Sequence, residues 1–295
     1  MFNISILTGL IGMFSFGISD FLLKKPSEEI GEIKTGFLIA VFSSIMILPL
    51  FIYLFINNYL RLPYYIYGLA GFASLMDVFA FLNFLKAMKI GELSIITPIV
   101  GAIPVVTVTY GFILLGERLS YIEGLAIVVL IIGILLVSTD LRKIKHIHTV
   151  AGIPNAFLSL FAWGTFLFLT DIIIDEISKN SSDFHGIAFV NVSETLFFLL
   201  FITILFVYNK NNIKTTIPNK TVMFRLLFIA FLFKFAWAAL TTGFNYGLIS
   251  IVSAVSSLSP AITVLLAQKF YHEKLVLNQK IGIMIILSGL ILISL

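Results

Sequence analysis

The sequence reads as an all-α integral membrane protein whose ten transmembrane helices form two inverted five-helix repeats. Three observations lead there: a shortage of charge, ten apolar segments of spanning length, and a long pattern that occurs twice. Of the 295 residues, 59% are hydrophobic and 12% are charged, with a mean hydropathy of +1.08. A soluble domain carries about 25% charged residues, so this chain cannot clothe a water-facing surface, and its excess apolar surface needs the bilayer as solvent. There is no Cys, which excludes disulfides and thiolate metal sites.

A spanning helix needs roughly 20 apolar residues. Segments that qualify lie at about 3–23, 35–57, 63–88, 92–115 and 119–138, then at about 150–174, 185–208, 221–247, 249–269 and 275–294. The first lacks a basic n-region and a small-x-small cleavage site, so it reads as a span rather than a cleavable signal. KKPSEEIGE closes it, NNYLRLP the second, KIGE the third and GERLS the fourth. DLRKIKH, SKNSSD and NKNNIKTTIPNK close the fifth, sixth and seventh. These turn-forming, charged stretches are short, and no soluble domain or nucleic-acid module fits between the spans.

The repeat is read from punctuation, because apolar matches mean little in a chain so rich in Leu and Ile. One offset of 156 positions carries Gly91 onto Gly247, Ser94 onto Ser250, Pro104 onto Pro260, Glu117 onto Glu273 and Gly133 onto Gly289. This points to duplicated units at 1–145 and 146–295. Five crossings per unit make the second enter from the opposite face, so the halves are inverted. Charge supports this independently. Fifteen Lys and Arg, from Lys24 to Lys280, fall around the loops after the odd-numbered spans, against Arg61, Arg118 and Lys179 on the other face. By the positive-inside rule the rich face is cytoplasmic and both termini lie outside.

These features resemble the drug/metabolite transporter superfamily, specifically its ten-span EamA-type members. The resemblance rests on the five-plus-five repeat and on a fourth span with an internal Pro that ends in Glu-[Arg/Lys]-Leu (Glu117-Arg118-Leu119, Glu273-Lys274-Leu275). It rests also on an aromatic-Gly element in each half's first span, Phe16-Gly17 and Trp163-Gly164. It covers essentially the whole chain. It implies a transporter, with the first, third and fourth spans of each half lining a central cavity and the fifth peripheral. Cytoplasmic termini are the family's usual arrangement, opposite to the one this chain's charges favour.

The candidate site residues are polar groups inside apolar spans, where each charge costs at least about 2.5–3.5 kcal/mol on insertion scales. Asp77 lies midway along the third span, Lys234 midway along the eighth, and Glu194 mid-seventh, three residues after Asn191 and on its face. Lys234 and one carboxylate either form a pair that holds the bundle or anchor substrate, Lys234 for an anionic group and Asp77 or Glu194 for a cationic one. That arrangement suits a zwitterion such as an amino acid, and such a carboxylate is a candidate proton carrier. Trp163 and Trp237 are candidate cavity aromatics. Asn83 and Asn245 either bind substrate or bridge helices. Pro104 and Pro260, expected mid-helix, serve as packing kinks or as hinges. Asp20 and Asp171 read as solvated span-end charges, and Glu117-Arg118 and Glu273-Lys274 as structural turn charges at the interface.

Several classes are excluded or demoted. There is no Walker loop, and YHEKLV is not a zincin motif, since Val276 stands where the second His would be. No plausible nucleophile–base pair occurs in the loops, so the chain is not read as an enzyme, and no cofactor is expected beyond coupling to protons. The reading is a secondary-active or facilitative exporter of small metabolites such as amino acids, working by alternating access. The alternatives are a lipid scramblase and a passive pore. The expected partners are a small-molecule substrate and the bilayer, without nucleic acid. The assembly is a monomer or a homodimer, with the fifth and tenth spans facing lipid or forming a dimer seam.

Overall fold

The computed structural model describes residues 4–90, 99–138, 152–209, 218–271 and 276–293. Among them every regular element is a helix: α1 (Ile4–Ile30), α2 (Glu32–Ile56), α3 (Tyr64–Ile90), α4 (Ile103–Tyr110), α5 (Tyr121–Ser138), α6 (Ile153–Ser178), α7 (Asp183–Tyr208), α8 (Lys220–Tyr246), α9 (Ile249–Ser256), α10 (Ser259–Tyr271) and α11 (Leu277–Ile293). Six of them, α1, α2, α3, α6, α7 and α8, are long and apolar enough to cross a bilayer, and Ile99–Leu115, Tyr121–Val137, Ile249–Thr263 and Leu277–Leu292 are shorter and apolar. Large side chains such as Phe14, Phe55, Phe112 and Phe224 point outward. In water such a surface would aggregate; in hydrocarbon it is solvated. The chain is a multi-pass membrane protein.

Helix ends follow local chemistry. Ser182 accepts a bond from the His185 N–H at the start of α7, and Asn219 from the Val222 N–H, 2.8 Å, at the start of α8. A reciprocal box precedes α5: Ser120 N–H donates to Glu123 Oε2 at 2.8 Å and Glu123 N–H to Ser120 Oγ at 3.2 Å. The corresponding start of α11 keeps half of it, with Val276 N–H donating to Gln279 Oε1 at 3.1 Å.

Two expectations about boundaries change. The stretch KKPSEEI is not a loop: α1 runs through Pro26 to Ile30 and stops at Gly31, whose φ of 85° turns the chain into α2. Lys and Glu are good helix formers, and this turn of helix continues past the apolar span. The prolines also sit differently. The fourth apolar segment breaks at Ala102, so Pro104 occupies the first turn of α4, and the ninth breaks at Ser257–Leu258, so Pro260 occupies the first turn of α10. In a first turn the missing N–H has no helical partner to lose, so proline starts a new segment instead of kinking an old one. The bonds across the two breaks correspond: Ala102 N–H to Ile99 O and Leu258 N–H to Val255 O, both 3.2 Å, then Val105 N–H to Ala102 O and Ala261 N–H to Leu258 O, both 2.9 Å.

The halves interlock. α1 packs on α8, α3 on α6, α2 on α7, and α5 on α11. The last pair is drawn close by glycine: a Cβ on Gly133 would lie 2.6 Å from Ile286 Cγ1, and one on Gly289 2.6 Å from Leu130 Cδ2. The fifth and tenth apolar segments therefore pack on each other within the chain, and Val128, Ile132, Met284 and Leu287 on the same helices point outward. α4 and α9 meet at a buried hydroxyl pair, Thr107 Oγ1 and Ser253 Oγ, 2.6 Å apart. Polar side chains from α3, α6, α7 and α8 converge in the middle of this arrangement.

Candidate functional site

Asp77 and Trp163 bind each other across the two halves. Trp163 precedes Gly164, where a Cβ would lie 2.4 Å from Val106 Cγ1, so α6 can approach α4 only because that position is glycine. The approach sets Trp163 against α3, where its Nε1–H donates to Asp77 Oδ1 at 2.8 Å. The Phe84 ring lies 5.3 Å from the Trp163 ring, tilted against it. The carboxylate is thus held by a neutral donor whose ring packs against a second aromatic ring.

Lys234 of α8 donates to Glu194 Oε2 of α7 at 2.5 Å and to Thr195 Oγ1 at 2.8 Å, and Thr195 Oγ1 in turn donates to Glu194 Oε2 at 3.1 Å. The two charged side chains keep only 15% and 14% of their surface exposed. Pairing is what makes both charges tolerable so far from bulk water. Asp77 interacts electrostatically with both, repelled by Glu194 and attracted by Lys234. When all three are ionised, the cluster carries two negative charges and one positive.

Below this level the site becomes aromatic. Lys234 and Trp237 share a face of α8, as Trp163 and Phe166 share a face of α6. Phe166 and Trp237 stack with centroids 4.9 Å apart and planes 16° from parallel. Trp237 is 6% exposed, and its Nε1–H has no acceptor. A buried donor left unbonded is costly, so this N–H is free to serve an oxygen or ring nitrogen that enters the site.

The asparagines are spread more widely. Asn191 is buried and donates to Thr241 Oγ1 at 2.9 Å, tying α7 to α8 one turn from Glu194. Asn83 Oδ1 accepts from Asn155 Nδ2 at 2.8 Å, bridging α3 and α6. Asn245 Oδ1 accepts from Ser178 Oγ at 3.1 Å, bridging the C-terminal ends of α6 and α8. Asp77, Trp163, Glu194 and Lys234 therefore form one cluster, Trp237 adjoins it, and the three asparagines act as helix ties around it. Sequence reading overlooked Thr195, Phe84, Phe166 and Thr241. Thr195 had a usable signal, since it directly follows Glu194.

A second polar contact closes one end of the bundle. Gly116, with φ 68°, reverses the chain after the π-helical turn Gly111–Leu115. Glu117 then folds back to accept a hydrogen bond from Ser250 Oγ at the start of α9. Its role as a structural turn charge is thus to join the halves. Half-buried Asp171 lies within electrostatic range of it, while Asp20 is exposed. At the exposed end of α6, Lys179 donates to Asp175 at 2.7 Å, which holds its amine above the usual lysine value. Of the other turn pair, Glu273-Lys274 lies outside the described residues. Among the described residues no His, Asp and Glu gather in a group of three that could hold a metal ion.

Comparison with known proteins agrees with this architecture. A solved crystal structure shares the fold with a TM-score of 0.74 at 14% sequence identity, covering 98% of this chain and 95% of that one. No curated protein matches the chain. The pattern of the EamA-like transporter family matches twice, over residues 3–139 and again over 150–295. With one match per half and nearly the whole length accounted for, the chain belongs to the EamA-like transporter family.

Proposed function

We propose that the chain is a secondary-active or facilitative exporter of small metabolites, amino acids or related nitrogenous compounds, that works by alternating access. In this reading ten spans form two inverted five-helix repeats, with both termini on the non-cytoplasmic face as the charge bias favours. The observation that carries it is the meeting of Asp77 and Trp163, from opposite halves, beside the Glu194–Lys234 pair. Ionisable groups placed mid-span face a substrate path more often than lipid. Because the cluster spans the halves, a rocking of one half against the other changes which face it opens to. The breaks at Ala102 and Leu258 supply matched bending points, and Asp77 is the group best placed to exchange a proton against substrate.

The test is mass spectrometry of cells and medium, with the full chain expressed and with empty vector. One class of small ionisable metabolites should leave the cells only when the protein is present. If no compound is redistributed and the purified protein instead exchanges labelled lipid between leaflets of vesicles, the lipid-handling alternative replaces this one.

A further inference from the structure

We infer that the site is built for an organic cation, a metabolite with net charge +1 whose ammonium sits at Asp77. The inference rests on the transport reading above and narrows it.

Lys234 is committed to Glu194 and Thr195, at 2.5 and 2.8 Å, so that pair is neutral on its own. Asp77 has a neutral partner, the Trp163 indole, and among the described residues no Lys, Arg or His lies in ion-pair contact with it. Ionised, Asp77 leaves one negative charge uncompensated in a region where water is scarce and an unpaired charge is expensive. A proton on Asp77 closes the balance in the empty site, and an occupant with one net positive charge closes it once that proton has left. A zwitterion leaves it open, and its carboxylate meets a lysine whose nearest neighbour is already the Glu194 carboxylate. An anion makes the balance worse.

The surroundings of Asp77 fit the same ligand. The Trp163 ring adjoins the carboxylate, with the Phe84 ring 5.3 Å from it, and the electron-rich face of an indole attracts an ammonium group. One turn further, the Phe166–Trp237 stack offers an apolar wall with one unsatisfied N–H, which suits the uncharged remainder of the molecule. Charge at one end and an aromatic wall at the other describe an amine without a free carboxylate, or a basic compound whose cationic groups outnumber its anionic ones by one.

Proteoliposomes holding the full chain, loaded with a small-molecule extract of cells, would be compared by mass spectrometry of the outer fluid with protein-free vesicles. Compounds released at least about tenfold faster with the protein should be net cations, and Asp77→Asn should lose about tenfold or more of that release. Asp77→Glu, which keeps the charge, should restore the preference and so separate lost charge from lost fold. The double variant Glu194→Gln with Lys234→Met removes one charge of each sign and should still prefer cations, at a lower rate. Release of zwitterions or anions in preference to cations overturns the inference while leaving transport intact. So does undiminished cation release by Asp77→Asn. Release of no compound at all overturns the transport reading, and this inference with it.

Discussion

The two halves of the bundle agree in frame and differ in chemistry. Gly164 of α6 takes the side chain of Val106, and Gly17 of α1 takes that of Ile262, whose Cβ would lie 2.5 Å from an added Cβ. Val106 and Ile262 stand at the same repeat offset as Ala102 and Leu258. The residue before each glycine then reaches the third helix of the other half: Trp163 to Asp77, and Phe16 to Phe233, with ring centroids 6.1 Å apart. Position for position these are the same contact. In one place it is an indole on a carboxylate, in the other two phenyl rings. Lys234 has Val78 as its counterpart. Duplication supplied the scaffold twice, and at each pair of equivalent positions only one half carries the charge: Asp77 in the first and Lys234 in the second.

The comparison can be broken most forcefully at the ion pair. Lys234→Ala should destabilise the purified protein by about 3–5 kcal/mol, because Glu194 is left buried and unpaired. The double variant with Glu194→Gln should recover most of that loss, as read by thermal unfolding in detergent. If the single and double variants unfold together, the pair does not act as a unit.

Next come the twin glycines. Gly17→Ala and Gly164→Ala should each cost about 1–3 kcal/mol, since each added methyl collides with a branched side chain of the facing helix. The same unfolding measurement should give values within about 1 kcal/mol of each other if the frame is symmetric. A large cost at one site and none at the other would show that the halves pack differently.

Smaller effects sharpen the chemical asymmetry. Trp163→Phe removes the donor to Asp77 and should cost about 1–3 kcal/mol, whereas Phe16→Leu, at the equivalent place, loses only a ring contact worth about 0.5–1.5 kcal/mol. Transport should fall sharply in the first and little in the second. Trp237→Phe should change stability least, by about 1 kcal/mol or less, because the ring volume lost from the core is partly offset by removing a buried N–H that bonds nothing in the folded chain. A fall in substrate affinity with stability unchanged would place that N–H on the ligand.

Much of the frame was legible in the sequence because punctuation survives in an apolar background. The offset that aligned Pro104 with Pro260 also aligns the two helix breaks, and the family resemblance is borne out by the double match. The breaks themselves were not legible: Ala102 and Leu258 are ordinary residues, and nothing local distinguishes a kinked helix from an interrupted one. The partners of the charged groups were equally hidden. Asp77, Glu194 and Lys234 stand out in any reading of apolar spans, yet which of them meet depends on how the helices are rotated. Helices that are hydrophobic all round carry no stripe to report their rotation. The partner of Glu117 was hidden for a related reason, since the left-handed turn at Gly116 folds it back onto Ser250.

The central claim is that the charged cluster lies on a path between the two sides of the membrane. The chain has no Cys, so a single one can be introduced without background. Thr195→Cys puts a thiol beside Lys234, and Ile202→Cys, two turns along α7 and fully buried, serves as the control. The measurement is the reaction of each with a membrane-impermeant thiol reagent, applied in turn to either face of sealed vesicles. The account predicts that the thiol at position 195 reacts from both faces while the one at 202 reacts from neither. If position 195 stays unreactive from both faces, the Lys234–Glu194 pair holds the bundle together and lines no path.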